Sequence, residues 1–232
     1  NGLDCTTVTV IPDEERSPIS DNENIRSKSL DYLKWTIDCS AALGSEVLAG
    51  PYHQPLGVFT GVPPTQKEKE NAARVHQNAA DYAKKSSLNL SIEPLNRFEC
   101  YFLNIAEDAS NYVDLVDREN FGYLYDTFHA NIEEKDPVGI IDKTIHNINH
   151  IHISENDRGT PGKGNVPWVE TFDAIKNTTA KKRPKMILIW SPSRFGRAGS
   201  EHIELFVSLR RKYRMFAQPF KKKLKQYKPK SM

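Results

Sequence analysis

The clearest hydrophobic pattern in the chain has a period of two residues and begins at Leu88, where the sequence reads Leu-Asn-Leu-Ser-Ile-Glu. Successive side chains of a strand point to opposite sides, so this pattern predicts a strand with one apolar face. It places Glu93 at the end of the strand, opposite to the aliphatic side chains. Pro94 ends the strand because it has no N–H to donate. A carboxylate at this point, followed by Asn96 and Arg97, indicates either a functional site or an ordinary solvated loop.

Strands and helices alternate along the rest of the chain. Strands are predicted at 4–11, 46–49, 88–93, 121–126, 148–154 and 186–190, and helices at 29–43, 67–85, 104–116, 137–146 and from 167 onward. Thr65 is predicted to cap the second helix, and residues 127–129 are predicted to form a loop. A regular alternation of strands and helices predicts a parallel sheet, which is either open or closed into a barrel.

Polar residues at the strand ends favour the closed form. Glu93, Asp126, His152 and Arg158 lie at the end of a predicted strand or one loop beyond it, and a barrel enzyme collects its site from such ends. An open doubly wound sheet would carry a glycine-rich phosphate turn after its first strand, which this sequence lacks. The prediction is therefore an α/β fold of the (β/α)8 TIM-barrel class. Six strand–helix units are too few for a complete barrel, so its first two βα units would precede Asn1.

Composition places the chain among globular proteins. It has 232 residues, of which 38% are hydrophobic and 27% are charged, as expected for one domain. It contains no apolar run of about 18 residues, so no membrane span is predicted. Cys5, Cys39 and Cys100 are scattered and follow no metal-binding spacing, which indicates reduced thiols and a cytoplasmic protein.

Charge is distributed unevenly along the chain. Ten of the 32 Lys and Arg residues lie from Arg210 onward, where the chain has no Asp or Glu. We therefore divide the chain into a partial barrel domain at 1–195 and a divergent basic tail at 196–232. A basic tail can attract nucleic acid, but this one contains no recognisable binding module. We expect neither a nucleic acid nor a membrane as a partner.

Three of the strand-end residues form a candidate metal site. Two carboxylates and one imidazole, from Glu93, Asp126 and His152, suit a divalent ion such as Mn²⁺, Co²⁺ or Mg²⁺. A structural zinc site would favour thiolates instead. Two alternatives stay open from the residues alone. His152, which shares a strand face with His150 and Ser154, could be a core histidine, and Asp126 could cap a helix or turn.

Four motifs of the chain resemble those of one enzyme family. They are Ile92–Glu99, Leu124–His129, His150–Arg158 and Gly159–Gly164. In this order and with this spacing they resemble the D-tagatose 3-epimerase family, which includes D-psicose (allulose) 3-epimerases and belongs to the xylose-isomerase-like TIM barrels. The segment that begins at Gly2 and reads Gly-Leu-Asp-Cys-Thr-Thr resembles the third strand of that family. The resemblance therefore also implies that the first two βα units are missing.

The resemblance implies a role for each motif residue. The implied metal ligands are Glu93, Asp126 and His152, and the implied sugar-binding residues are Glu99, His129 and Arg158. Glu93 is also implied as one of two catalytic carboxylates, which remove and return the proton at C3 of a free ketose of the D-tagatose, D-psicose or D-fructose type. Inversion through an enediolate needs an acid–base group on each face and a cation beside the oxyanion. The chain would be an isomerase that uses Mn²⁺, with Co²⁺ or Mg²⁺ as alternatives, and forms a homo-oligomer.

One position departs from the family pattern. The resemblance implies a Glu at the end of the last strand, as fourth ligand and second acid–base group, whereas the sequence has Trp190. Trp neither ligates a metal nor transfers a proton. A change of reading frame near Ile189 would explain both this residue and the change of composition after Phe195. The alternatives are an inactive sugar- or metal-binding relative and, with fewer matching histidines, a barrel of the endonuclease IV type.

Overall fold

Six strands of the described chain lie side by side in one parallel sheet, in the order in which they occur in the sequence. The computed structural model describes residues 5–159, 161–177 and 186–189. The strands are β1 (Cys5–Val8), β2 (Ser45–Gly50), β3 (Asn89–Ile92), β4 (Phe121–Asp126), β5 (Ile148–Ile153) and β6 (Met186–Ile189). A doubly wound sheet reverses its strand order at a switch point, whereas consecutive order throughout is that of a barrel. The predicted parallel sheet and barrel class are confirmed.

Helices connect consecutive strands and pack against one another along the sheet. They are α1 (Glu23–Ala42), α2 (Gln66–Ala83), α3 (Ala106–Val116), α4 (Thr127–Glu133), α5 (Gly139–Thr144) and α6 (Trp168–Asn177). Helix α1 packs on α2, α2 on α3, α3 on α5, and α5 on α6. Neighbouring contacts of this kind form the outer layer of a barrel. In the described part of the chain, no helix combines the length and hydropathy that crossing a bilayer requires.

The two faces of the sheet differ in what they bury. Side chains such as Ile92 and Tyr123 belong to the large core between the sheet and the helices. A separate small apolar cluster is formed by Val47, Ala49 and Leu124. Side chains alternate along a strand, so Glu93 lies opposite to Ile92, and Asp126 lies on the face of Leu124. Both carboxylates therefore belong to the inner face of the partial barrel.

A glycine in β4 lets a side chain of β5 reach β3. The amide of Asn149 donates to the Leu90 carbonyl at 2.8 Å and accepts a hydrogen bond from the Ser91 hydroxyl at 2.5 Å. A Cβ atom on Gly122, the β4 partner of Ser91, would lie 2.5 Å from Cγ of Asn149. Any larger residue would displace this side chain. The crossing thus fixes β3 relative to β5, the two strands whose carboxyl-terminal ends position Glu93 and His152.

Capping explains where the helices begin. The predicted Thr65 cap is confirmed: its hydroxyl accepts from the N–H of Glu68, whose carboxylate accepts from the Thr65 N–H in return. Helix α1 begins at Glu23, earlier than the predicted 29, because the side chain of Asn22 caps it. Its first turn is largely exposed, and an exposed turn carries no apolar pattern from which it could be predicted.

The prediction of a loop at residues 127–129 is wrong. These residues form the first turn of α4. The Asp126 carboxylate accepts a hydrogen bond from the N–H of Phe128 at 2.7 Å and so caps this helix. Trp190 and the basic tail at 196–232, which the proposed frame change would explain, lie outside the described residues.

Candidate metal and sugar site

The ends of β3, β4 and β5 bring three predicted site residues together. Nδ1 of His152 lies 3.6 Å from Oε1 of Glu93 and 3.7 Å from Oδ2 of Asp126. The pairing of β4 with β5 causes part of this proximity, because Asp126 and His152 are register partners. All three side chains are buried. Burying two carboxylates is costly unless a positive charge compensates them, so the arrangement suits a cation.

A second histidine approaches the same carboxylates from helix α4. One ligand atom each from Glu93, Asp126 and His129 lies within 4.8 Å of the others. However, Nδ1 of His129 accepts a hydrogen bond from the backbone N–H of Asn96 at 2.9 Å. Its neutral ring therefore carries its proton on Nε2 and is a donor there. Both histidines border the site, but His129 is held as a hydrogen-bond donor, whereas Nδ1 of His152 faces both carboxylates.

The electrostatics of the site favour a positive charge between the carboxylates. Burial disfavours the charged ring of His152, but the carboxylates of Asp126 and Glu93 beside it prevail and raise its pKa to about 9. Burial likewise opposes ionisation of Asp126, yet the ring of His152 beside it lowers its pKa. At neutral pH the proton on His152 thus neutralises part of the negative charge, as a divalent ion would do more completely.

Metal binding should depend on pH through His152. A ring nitrogen must lose its proton before it binds a metal, and the folded protein holds that proton up to a pH of about 9. We expect the apparent Mn²⁺ affinity to rise by ~10-fold per pH unit from pH ~6 to ~9 and then to level off. Calorimetric titration over this range measures the slope. His152→Gln should reduce the slope, and the control His146→Gln, at an exposed histidine, should keep it; an affinity independent of pH would contradict the assignment.

The three predicted sugar-binding residues lie beside this cluster. The guanidinium of Arg158 donates to Oε1 of Glu99 at 2.8 Å and lies 3.9 Å from the ring centre of Phe128. This stacking orients a planar cation. The loop that carries Glu99 is tied to helix α2, since the Tyr101 hydroxyl donates to Glu68 at 2.6 Å. Phe128 of α4 therefore holds the guanidinium of Arg158, and Glu68 of α2 holds the loop of Glu99.

Asn96 joins these residues, and no role for it was predicted. Its side-chain Nδ2 donates to Oε1 of Glu99 at 2.8 Å and lies 3.0 Å from Nδ1 of His129. Only its place in a polar loop after a strand-end carboxylate could have drawn attention to it. Its partner in α4 is distant in sequence and cannot be read from the pattern.

Glu155 is a second residue whose role was not predicted. It is fully buried, and its carboxylate accepts from the N–H groups of Gly162 and Val166 and from the indole N–H of Trp168. Its carbonyl also accepts from the N–H of Arg158. Backbone N–H donors can stabilise a buried carboxylate in place of a cation. Glu155 thus organises the loop from which Arg158 extends.

Two residues of the loop that follows β2, His53 and Phe59, differ in their exposure. His53 is fully buried and donates from Nε2 to the Glu93 carbonyl at 3.0 Å, with its ring stacked on Phe102. Burial lowers its pKa to about 3, so the ring is neutral. Phe59 is half exposed. The side chain of His53 therefore supports the backbone at Glu93 and does not line the surface of the site.

Comparison with known proteins agrees with this geometry. The family model described as xylose isomerase-like TIM barrel matches residues 1–208. A probable ketose 3-epimerase from Synechocystis sp. is 33% identical over 175 residues, which are 75% of this chain and 61% of that protein. A D-psicose 3-epimerase from Ruminiclostridium cellulolyticum is 36% identical over 176 residues, 75% of this chain and 60% of that protein. The chain thus spans less than two thirds of the length of these relatives.

A solved structure shares both the fold and part of the sequence. The D-allulose 3-epimerase from Methylomonas sp., in complex with D-allulose, superimposes with a TM-score of 0.71 and 28% sequence identity. The match covers 78% of this chain and 62% of that one. The partial barrel therefore has the same arrangement of strands and helices as part of a sugar epimerase.

Proposed function

Because the chain belongs to the xylose isomerase-like TIM barrel family, we propose that its site is that of a metal-dependent sugar epimerase that inverts C3 of a free ketose. The observation that carries this proposal is the convergence of Glu93, Asp126 and His152 beside the Glu99–Arg158 pair. One group suits a divalent cation, and the other suits sugar hydroxyls. The similarity to ketose 3-epimerases supports the choice of C3.

The donor set fits a hard or intermediate divalent ion. Glu93, Asp126 and His152 would hold it, with Mn²⁺ as the expected ion and Co²⁺ or Mg²⁺ as alternatives. A bound ion supplies positive charge next to the oxygen that becomes negative when the C3 proton leaves. The raised pKa of His152 supports this fit, because the two carboxylates already retain one positive charge between them.

The protein's own side chains divide the remaining work. Glu93 would take the C3 proton on one face of the ketose, while Glu99, His129 and Arg158 would bind hydroxyl and carbonyl oxygens and orient the sugar. Return of the proton to the opposite face needs a second acid–base group. The sequence offers Trp190 at the position where the resemblance implies that group.

Trp190 favours a second candidate function, a relative that binds a sugar or a metal without turnover. Both functions use the same residues of β3, β4 and β5 and differ only in whether the proton is exchanged.

In either case we propose a cytoplasmic protein that self-associates. The free state of Cys5, Cys39 and Cys100 supports a reducing compartment.

Exchange of the C3 hydrogen with solvent tests the proposed function. D-Fructose or D-tagatose is incubated in D₂O with Mn²⁺ and protein, and deuterium at C3 is measured by NMR. Exchange by the natural chain supports an epimerase in which Trp190 is tolerated. Exchange only after Trp190→Glu supports a damaged epimerase site. Binding of the sugar or of Mn²⁺ without exchange by either protein favours the non-catalytic function. If neither protein binds the sugar or Mn²⁺ and neither exchanges the hydrogen, both proposals are overturned.

A further inference from the structure

We infer that Asn96 is a positioning residue that sets the donor and acceptor pattern of the sugar site through His129 and Glu99. The inference rests on the proposed function and deepens it. Asn96 itself is 2% exposed and therefore has no surface left for a ligand. Its effect on a sugar would be transmitted by the two side chains that it holds.

The orientation of the Asn96 amide is fixed by its own loop. Its Oδ1 accepts from the N–H of Phe98 at 3.0 Å, and its carbonyl accepts from the N–H groups of Glu99 and Cys100. A side-chain oxygen that bonds the backbone two residues later is the arrangement of an Asx turn. Because Oδ1 has this partner, Nδ2 is the atom that points toward Glu99 and His129. The donor direction is therefore settled by the hydrogen-bond network.

Asn96 determines which nitrogen of His129 donates. Its backbone N–H and its Nδ2 both approach Nδ1 of His129, at 2.9 and 3.0 Å. A nitrogen that faces two donors keeps its lone pair, so the neutral ring carries its proton on Nε2. The ring is buried and also contacts the edge of Phe128, with centroids 5.0 Å apart. His129 thus presents a fixed N–H donor and not an acceptor.

Asn96 also determines which oxygen of Glu99 is occupied. Oε1 accepts both from Nδ2 of Asn96 and from Arg158, each at 2.8 Å. Among the described residues, no other donor bonds this carboxylate, so Oε2 is left as the acceptor for a ligand. Asn96 therefore joins the acceptor Glu99 and the donor His129 into one unit, to which Arg158 adds a second donor.

This pattern selects the chemistry of the ligand. An oxygen without a hydrogen, such as a ketose carbonyl, can be bound only by a donor, which His129 supplies. A neighbouring hydroxyl can donate to Oε2 of Glu99. A ligand that pairs an acceptor-only oxygen with an adjacent hydroxyl matches both groups, which is the arrangement in a 2-ketose. A polyol of the same length lacks the carbonyl and should bind more weakly.

A matched pair of asparagine variants tests the inference. Asn104 lies in the same loop, and its Nδ2 donates to the carbonyls of Leu95 and Cys100 and to the Cys100 sulfur at 3.5 Å. Asn96→Ala and Asn104→Ala therefore each remove the donor bonds of one loop side-chain amide, but only Asn96→Ala removes a donor from Glu99 and His129. The backbone N–H of residue 96 still bonds His129, and Arg158 still bonds Glu99, in this variant. We expect Asn96→Ala to weaken D-fructose binding by ~10-fold, and Asn104→Ala by less than ~3-fold at a similar loss of Tm.

The state of His129 is read separately, by ¹⁵N NMR of the full chain without sugar. We expect the Nε2–H form in the natural protein, and a shift of the imidazole signals in Asn96→Ala but not in Asn104→Ala. An Nδ1–H form, or equal shifts in both variants, would overturn the inference. This measurement needs neither turnover nor sugar. A chain without C3 exchange would therefore count against the proposed function, and the NMR result would still decide the role of Asn96.

Discussion

Asp126→Asn is expected to remove divalent-metal binding while the protein keeps its fold. The Asp126 carboxylate has two tasks: it faces His152 at 3.7 Å in the metal cluster, and it caps helix α4 through the N–H of Phe128. Asn caps a helix as well as Asp does, but it brings no negative charge. We therefore expect the Mn²⁺ affinity to fall by ~100-fold or more, with little change in Tm.

Asp126→Ala separates the two tasks. It removes the cap together with the ligand, so it should lose metal binding and in addition about 1 kcal/mol of stability. Calorimetry of Mn²⁺ binding and thermal unfolding of the metal-free proteins provide the two readouts. If Asp126→Asn bound Mn²⁺ with unchanged affinity, Asp126 would not be a ligand, and the cluster would need another explanation.

Glu93→Gln is expected to stop C3 exchange. The variant keeps the size and the hydrogen-bonding shape of the side chain but has no basic oxygen for the C3 proton, and loss of a general base costs ~10²–10⁴-fold in rate. Its backbone should remain in place, because His53 holds the Glu93 carbonyl and not the side chain. The rate is measured by deuterium incorporation, in the natural chain or in Trp190→Glu, whichever exchanges.

Glu133→Gln is the matched control for this variant. Glu133 is also a buried carboxylate, and it pairs with Arg97 through both oxygens. The control should lower stability slightly, since Arg97 is exposed, and leave the exchange rate unchanged. Equal rates for Glu93→Gln and the natural chain would exclude Glu93 as the base, whereas equal losses in both variants would point to general disruption of the loop.

Most of the fold could be predicted because each strand carries a strong local pattern. The period-two alternation at β3 and the aliphatic and aromatic residues of β4 and β5 are visible in the sequence. The order of the elements then indicates a barrel. Helix α4 was missed because its seven residues contain too few apolar positions to establish a period. Its start depends on Asp126, which was considered as a cap only as an alternative to a ligand. The structure gives it the capping contact and a place in the cluster.

The support around the site could not be predicted from local patterns. Asn96 contacts His129, and Glu155 contacts Trp168. The two residues of each pair are separated in the sequence, and only the folding of the chain brings them together. Strand parity does predict that Glu93 and His152 face the same interior. It does not predict which nitrogen of a nearby histidine donates, because that depends on a backbone N–H from another loop. The resemblance implies different roles for His129 and His152, but the contacts that give a physical reason for the difference exist only in the folded protein.

A crystal soaked with Mn²⁺ and measured for anomalous scattering tests the central claim most directly. The claim is that one divalent ion binds between Glu93, Asp126 and His152 while His129 remains a donor beside it. We predict a single strong anomalous peak within ~2.0–2.5 Å of these carboxylate oxygens and of a His152 ring nitrogen. His129 should keep its hydrogen bond to the Asn96 N–H. A peak bonded to His129 in place of His152, or no peak near Glu93 and Asp126, would contradict the account.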